Sequence, residues 1–216
     1  MNKHFLRILC AVLTTFLLLP LAGCGEPVSA LTEEEARTIL TDLLPDSQKV
    51  LRILWGNELP LEDPDATPVE SVTAAQYYPI SPESPYRTAD AVRAYARSVY
   101  TEEYCAQLFQ MAFEGYQISY EGPILSDNED ETAEVIVDTY YPRFREENGV
   151  LCVDITFDTS RYHLGAVVDV TNAVIISRGV RRVTAEVDYT LDGVAGKMHL
   201  TIVETADGWR LDSPTY

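Results

Sequence analysis

Val183-Thr184-Ala185-Glu186-Val187-Asp188-Tyr189, followed by Met198-His199-Leu200-Thr201-Ile202-Val203-Glu204, alternates apolar and polar residues at a period of two. Successive side chains of a strand point to opposite faces, so each stretch buries one face and wets the other. Asp192-Gly193 between them is a two-residue hairpin signal, because both turn positions need the left-handed backbone that Asp and Gly tolerate. The same period recurs in Tyr116–Tyr120, Thr132–Tyr140, Leu151–Phe157, Ala166–Val170 or Ala173–Ser177, Val180–Tyr189, Lys197–Thr205 and Trp209–Leu211, with Asn148-Gly149 and Asp207-Gly208 as further turns. Residues 116–212 therefore read as an antiparallel sheet.

Upstream the period changes to that of helices. Thr32-Glu33-Glu34-Glu35 has the capping-box spacing, and Ile39, Leu40, Leu43 and Leu44 follow on one face. Pro45 predicts a break or kink, with Asp46 or Ser47 recapping a second stretch through Val50, Leu51, Ile53, Leu54 and Trp55 to Gly56-Asn57. Thr88 and Thr101 read as N-caps of two more helices within 88–113, the second stopping at Gly115. Helices first and strands afterwards indicate an α+β fold, with N-terminal helices packed on one face of a curved antiparallel sheet. The expected organisation is a helical segment at 31–57, a loop at 58–85 and an α+β domain at 86–216. The loop holds six of the chain's twelve prolines with Glu58, Glu62, Asp63, Asp65 and Glu70 among them. A structureless loop of this length marks either a boundary or a binding surface.

The first thirty residues follow a different logic. Lys3 and Arg7 form a basic start, Phe5 to Leu21 is an apolar run, and Leu21-Ala22-Gly23-Cys24 closes it. This is the layout of an export signal, and it resembles the lipobox of bacterial lipoproteins. The resemblance implies cleavage after residue 23 and lipidation of Cys24, which anchors the chain at the outer face of the cytoplasmic membrane, since two or three acyl chains hold where one does not. Residues 24–30 are then a tether of about 25 Å when extended. Cys10 leaves with the signal, so Cys105 and Cys152 remain either as one disulfide or as two buried thiols.

The 216 residues carry 16 Lys+Arg against 34 Asp+Glu, a formal charge of −18, with 46% hydrophobic and 10% aromatic residues. Such acidity excludes nucleic acid as a partner, because phosphates would meet repulsion in place of counterion release. The hydrophobic share excludes a disordered acidic chain. Loss of residues 1–23 removes Lys3 and Arg7 and no acid, so the remainder has 14 basic to 34 acidic residues. The excess is uneven: residues 24–70 have 11 acids to 3 bases, 116–150 have 9 to 2, and 71–115 have 5 to 3.

The usual sequence patterns of catalysis are missing. His163 and His199 have no zinc-site spacing, Cys105 and Cys152 sit in apolar surroundings that do not favour a thiolate, and neither G-x-S-x-G nor a phosphate-cradling glycine loop occurs. Asp127-Asn128-Glu129-Asp130-Glu131 resembles a calcium loop but lacks its glycine and distal glutamate, so a solvated hairpin tip is expected. No metal or cofactor is implied. Eight of the thirteen tyrosines lie between Tyr77 and Tyr120, and Tyr77-Tyr78-Pro79 and Pro85-Tyr86 flank the acidic loop. Tyrosine offers stiff amphipathic contact area, so Tyr77, Tyr78 and Tyr86 with Glu62, Asp63 and Asp65 are the expected partner contacts, the alternative being that these rings cover the seam between helices and sheet.

The order of these elements, with Tyr77-Tyr78-Pro79-Ile80, Tyr86-Arg87-Thr88-Ala89-Asp90, Tyr100-Thr101-Glu102-Glu103-Tyr104, Asn148-Gly149-Val150-Leu151-Cys152-Val153 and the closing Gly208-Trp209-Arg210-Leu211-Asp212, resembles the IseA-type family of exported D,L-endopeptidase (autolysin) inhibitors and related Gram-positive lipoproteins. Cys152 stands where family members often carry tyrosine. The Gly-Trp-Arg-Leu-Asp ending is also common in cystatin-like α+β domains. The resemblance implies an inhibitor of a cell-wall hydrolase; with the missing catalytic patterns and the acidic charge, the expectation is a monomeric, non-catalytic binding protein whose partner is a basic envelope protein such as a cell-wall hydrolase. The alternative is a small-molecule-binding or isomerase-like domain with a pocket on the concave sheet face at Asp169, Asp188 or Tyr189.

Overall fold

A computed structural model of the chain describes residues 31–69, 75–121, 135–160 and 162–215. The lipobox at Leu21, Ala22, Gly23 and Cys24 and the acidic stretch 127–131 lie outside the described residues. Residues from Leu31 onward form one compact unit of mixed α+β architecture.

Helix α1 runs Glu33–Trp55 without interruption. Thr32 caps it reciprocally with Glu35: the Glu35 N–H donates to Thr32 Oγ1 at 3.2 Å, and Thr32 N–H donates to Glu35 Oε2 at 2.8 Å. The break expected at Pro45 does not occur. Pro45 and Thr41, whose carbonyl loses its helical donor, are both exposed, so the missing bond falls on the side of the helix open to solvent. The opposite face buries Ala36, Leu40, Leu44, Val50, Leu51, Leu54 and Trp55.

Helix α2 (Ala89–Val99) is capped by Thr88, and α3 (Glu102–Phe109) by Thr101. A π-helical turn, Gln110–Glu114, follows and ends at Gly115, whose φ of 70° and ψ of −174° only glycine adopts readily. Strands β1 (Tyr77–Pro79), β2 (Tyr116–Glu121), β3 (Val135–Tyr140), β4 (Phe144–Glu147), β5 (Val150–Asp154), β6 (Val167–Arg178), β7 (Arg182–Leu191), β8 (Val194–Thr205) and β9 (Gly208–Leu211) complete the described elements.

Among the described residues these strands make three antiparallel sheets, ordered β1-β5-β4, β2-β3 and β6-β7-β8-β9, where the sequence suggests one. The four-stranded sheet follows the quoted alternation: Val183, Ala185 and Val187 of β7 and Met198, Leu200 and Ile202 of β8 are buried, while Asp188 and His199 are exposed. Its turn is Asp192-Gly193 at φ 51° and 81°, and Asn148-Gly149 joins β4 to β5 at 52° and 77°. Ala166–Val170 and Ala173–Ser177 are not alternatives but parts of one strand, β6, with register shifts between Asp169 and Val174 and between Ile175 and Ser177.

Helix α1 packs on β6 and β9, and α2 on α1 and β9. Thr101 N–H donates to the Leu211 carbonyl at 2.8 Å and Tyr100 Oη meets Thr215 Oγ1 at 2.9 Å, which locks the start of α3 to the C-terminal strand. Residues 58–85 are not wholly loop. Leu61 pairs with Ile80 and Val69 with Tyr77, so the segment folds back on itself and delivers β1 to the edge of β5.

Candidate functional site

The floor of the site comes from the end of β5. Asp154 is 4% exposed, and its Oδ1 accepts from Gln76 N–H at 2.9 Å, Thr156 N–H at 2.9 Å and Thr156 Oγ1 at 2.7 Å. Three donors on one oxygen fix the carboxylate in place. The chain then turns through Phe157 and Asp158 to Tyr162, which lies flat on Trp55 at the end of α1, with ring centroids 4.1 Å apart and planes inclined by 4°. Phe157 stacks on the same indole at 6.0 Å. Such ring pairs add about 0.5–1.5 kcal/mol each beyond their buried area, so this wall is rigid.

The opposite wall is the base of the β2-β3 hairpin. Register places Tyr116 opposite Tyr140, and their rings stack at 4.5 Å and 12°. Tyr141, 48% exposed, continues it, and Met111 of the π-helical turn contributes a thioether. Between the walls lies a cleft of about 270 Å³, lined by Asp154, Phe157, Tyr162, Tyr116, Tyr140, Tyr141 and Met111 with Ala75, Thr139, Thr156 and Asp158, while Trp55 is buried behind Tyr162.

Behind the cleft sits Arg143, 2% exposed and fully inside the protein. Its Nη2 donates to the Gly56 carbonyl at the C-terminus of α1 and reaches Asn57 Oδ1 at 3.5 Å, while Nε has no hydrogen-bond partner among the described residues. The negative end of the helix dipole compensates part of this charge. Burial pushes the guanidinium down to about 10, against the upward pull of the Asp154 carboxylate. Burial, helped by the same carboxylate, raises the Tyr77 phenol to about 12.

The expected contact residues do not come together as a surface. Tyr77 and Tyr78, in β1, are 3% and 8% exposed, and the Tyr77 hydroxyl donates to the Pro142 carbonyl at 2.5 Å. Both rings are buried although successive side chains of β1 leave on opposite faces, so both faces of this short strand are covered. Tyr86 is half-buried against Tyr95 at 5.5 Å, with Lys49 over its ring at 5.6 Å. Glu62, Asp63 and Asp65 are exposed. Cys105 and Cys152 are free buried thiols rather than a disulfide, with Cys105 on α3 and Cys152 on β5; burial raises both, Cys105 to about 12.

The sheet-face pocket also fails at its named residues. Asp169 and Asp188 face each other across β6 and β7 in solvent, where the hydroxyl and then the backbone N–H of Thr171 hold Asp169 low, and neither lines the cleft. Tyr189 is half-buried with its ring against Gly196. Among the described residues no group of three or more His, Cys, Asp or Glu is placed to hold a metal ion, and no helix is long and apolar enough to cross a membrane.

What the sequence reading missed is the aromatic set at Trp55, Tyr116, Tyr140, Tyr141, Phe157 and Tyr162, with Asp154. The available signal was weak: Tyr140-Tyr141-Pro142 ends a strand with two rings, one of which must face outward. No family model matches the chain, and no curated protein matches its sequence.

Proposed function

We propose that this protein is a non-catalytic extracytoplasmic lipoprotein, held at the outer face of the membrane through Cys24, that binds a basic envelope protein. A cell-wall D,L-endopeptidase of the kind the IseA-type resemblance suggests is the first partner to test. The observation that carries the reading is the cleft of stacked aromatic faces over an ordered carboxylate, in a chain of formal charge −18. Ring faces and fixed carboxylates are a recognition surface for cationic protein groups, and the excess negative charge steers basic partners toward it.

The test is a titration of the purified full chain with a purified D,L-endopeptidase at rising salt, together with wall digestion in a zymogram. Saturable binding that weakens between 50 and 500 mM salt, on the order expected from Debye screening, with reduced digestion, supports the reading. No binding at low salt and unchanged digestion refutes it. Anchoring is tested apart: Cys24→Ser abolishes incorporation of labelled palmitate and releases the chain from membranes.

A small-molecule site is the second reading, and the same cleft supports it. Its volume of about 270 Å³ lies below the roughly 300–1,000 Å³ of ligand pockets, which favours a single side chain as occupant.

A further inference from the structure

We infer that the cleft between the Trp55–Tyr162 stack and the Tyr116–Tyr140 stack is a receptor for one lysine or arginine side chain projected by the partner protein. The inference rests on the binding reading above and names the chemistry of the contact.

Three properties of the cleft select that occupant. Its size suits one long side chain, with about 270 Å³ of space. Aromatic rings wall it on both sides, Phe157 and Tyr162 on one, with Tyr162 backed by the buried Trp55 at 4.1 Å, and Tyr116 and Tyr140, stacked at 4.5 Å, on the other, and ring faces attract cations through their quadrupole. The methylene stem of lysine or arginine covers apolar surface while its head seeks a carboxylate. That carboxylate is Asp154, held within the fold by Gln76 and Thr156 and thus preorganised before any ligand arrives.

The position of Arg143 sharpens the point. Arg143 lies near enough to feel the Asp154 carboxylate but is not paired with it: Nη2 goes to the Gly56 carbonyl, and no carboxylate lies within 4 Å of the guanidinium among the described residues, so Asp154 keeps room for a direct cationic partner. The fold spends this arginine on the end of α1. An arginine in the same region, 5.6 Å from the Phe157 ring, also shows the kind of cation-to-ring packing that the cleft would offer to a guest.

The alternatives fit less well. An anionic ligand would meet Asp154 and Asp158 and the field of the whole chain. A neutral sugar could stack on the rings, but gains nothing from the buried carboxylate that a charged head does not gain more strongly.

The probes are Nα-acetyl-lysine methylamide and Nα-acetyl-arginine methylamide, with Nα-acetyl-norleucine methylamide as the uncharged analogue and N-acetylglucosamine as the sugar. Each is titrated into the full chain in non-ionic detergent, following the Trp55 indole N–H by NMR. The expected result is saturable shifts with both cations, binding roughly 5- to 30-fold tighter than norleucine, in line with a desolvated cation–ring contact. Asp154→Asn, which keeps an Oδ1 able to accept the same hydrogen bonds, should cut that preference at least about threefold, and Tyr141→Ala, at an exposed position, tests the rim without touching the core. Equal binding of lysine and norleucine probes, or tighter binding of the sugar, overturns the inference.

Failure here and failure of the broader reading are distinguishable. If Asp154→Asn with Tyr141→Ala leaves partner affinity and its salt dependence unchanged, the cleft is not the contact although the protein still binds a basic partner. If the cationic probes bind selectively while no basic envelope protein does, the cleft stands and the partner assignment falls.

Discussion

Gly115→Ala is the sharpest test of how the cleft is built. The residue links the π-helical turn to β2 with φ at 70° and ψ at −174°. That region is essentially restricted to glycine and costs other residues roughly 1–3 kcal/mol. A Cβ there would also press into the Tyr140 carbonyl oxygen and come 3.0 Å from Pro142 N, both backbone atoms that cannot rotate away. Overpacking of this kind adds about 1–3 kcal/mol, for a total of about 2–6 kcal/mol out of the roughly 5–15 kcal/mol typical of a domain. Gly149→Ala supplies the comparison, because Gly149 has φ of 77° but nothing within 4 Å of a built Cβ, so only the backbone term of about 1–2 kcal/mol applies. Urea unfolding of both variants, read by tryptophan fluorescence and far-UV circular dichroism so that two-state behaviour is checked, gives the difference directly. Since Tyr140 lines the cleft, Gly115→Ala should also weaken the near-ultraviolet signal of the Tyr116–Tyr140 stack. A loss for Gly115→Ala no larger than that for Gly149→Ala would refute the close approach of the two backbones.

Cys105 and Cys152 are buried thiols raised by burial, so Ellman's reagent at pH 8 should find neither until denaturant is added; rapid labelling of either in the native protein contradicts the packing. Tyr77 and Tyr100, both raised to about 12 chiefly by burial, stay neutral in the fold where unfolded tyrosine ionises near 10. Because the folded values lie above the unfolded ones, their contribution is fully present below pH 10 and is lost as pH rises from about 10 to 12. Unfolding midpoints measured across that window should fall, and a flat profile counts against the burial. Thr101→Ala removes the N-cap of α3 and the hydroxyl that donates to Asp212, and should cost about 1–2 kcal/mol in urea unfolding; a change below about 0.3 kcal/mol would mean that neither contact matters.

The parts of this fold that could be read from sequence are those decided within a few residues. Thr32, Thr88 and Thr101 cap helices because a hydroxyl reaches the N–H three residues on, and Asn148-Gly149 and Asp192-Gly193 turn hairpins because their own backbones accept positive φ. Pro45 misleads for a local reason with a tertiary answer: its cost depends on whether the orphaned carbonyl lies where water can reach it, and Thr41 and Pro45 are on the exposed side of the helix. Tyr77 and Tyr78 read as a sticky surface because a three-residue strand ending in proline shows no period, and only the fold shows that both of its faces are covered. The cleft was illegible for the same reason on a larger scale. Its walls come from residues 111, 116, 140, 157 and 162, which no local pattern connects.

The structure also divides the acidity that sequence could only count. Glu33, Glu34 and Glu35 lie in the first turn of α1, Asp90 in that of α2, and Glu102 and Glu103 in that of α3, where the positive end of each helix dipole favours them. Glu58, Glu147, Glu186, Glu204 and Asp212 each meet an arginine or lysine within 4 Å. These acids serve helices, strands and turns, and a protein with no partner would keep them. Glu62, Asp63 and Asp65 have neither a helix end nor an ion pair among the described residues, and Asp154, though its Oδ1 holds the N–H groups of Gln76 and Thr156, is a nearly buried carboxylate with no ion pair among the described residues. A charge left without a paired cation is better evidence for recognition than the net charge itself. On that criterion the cleft ranks above the N-terminal helix as the place where a basic partner is held, even though the helix carries more of the acid.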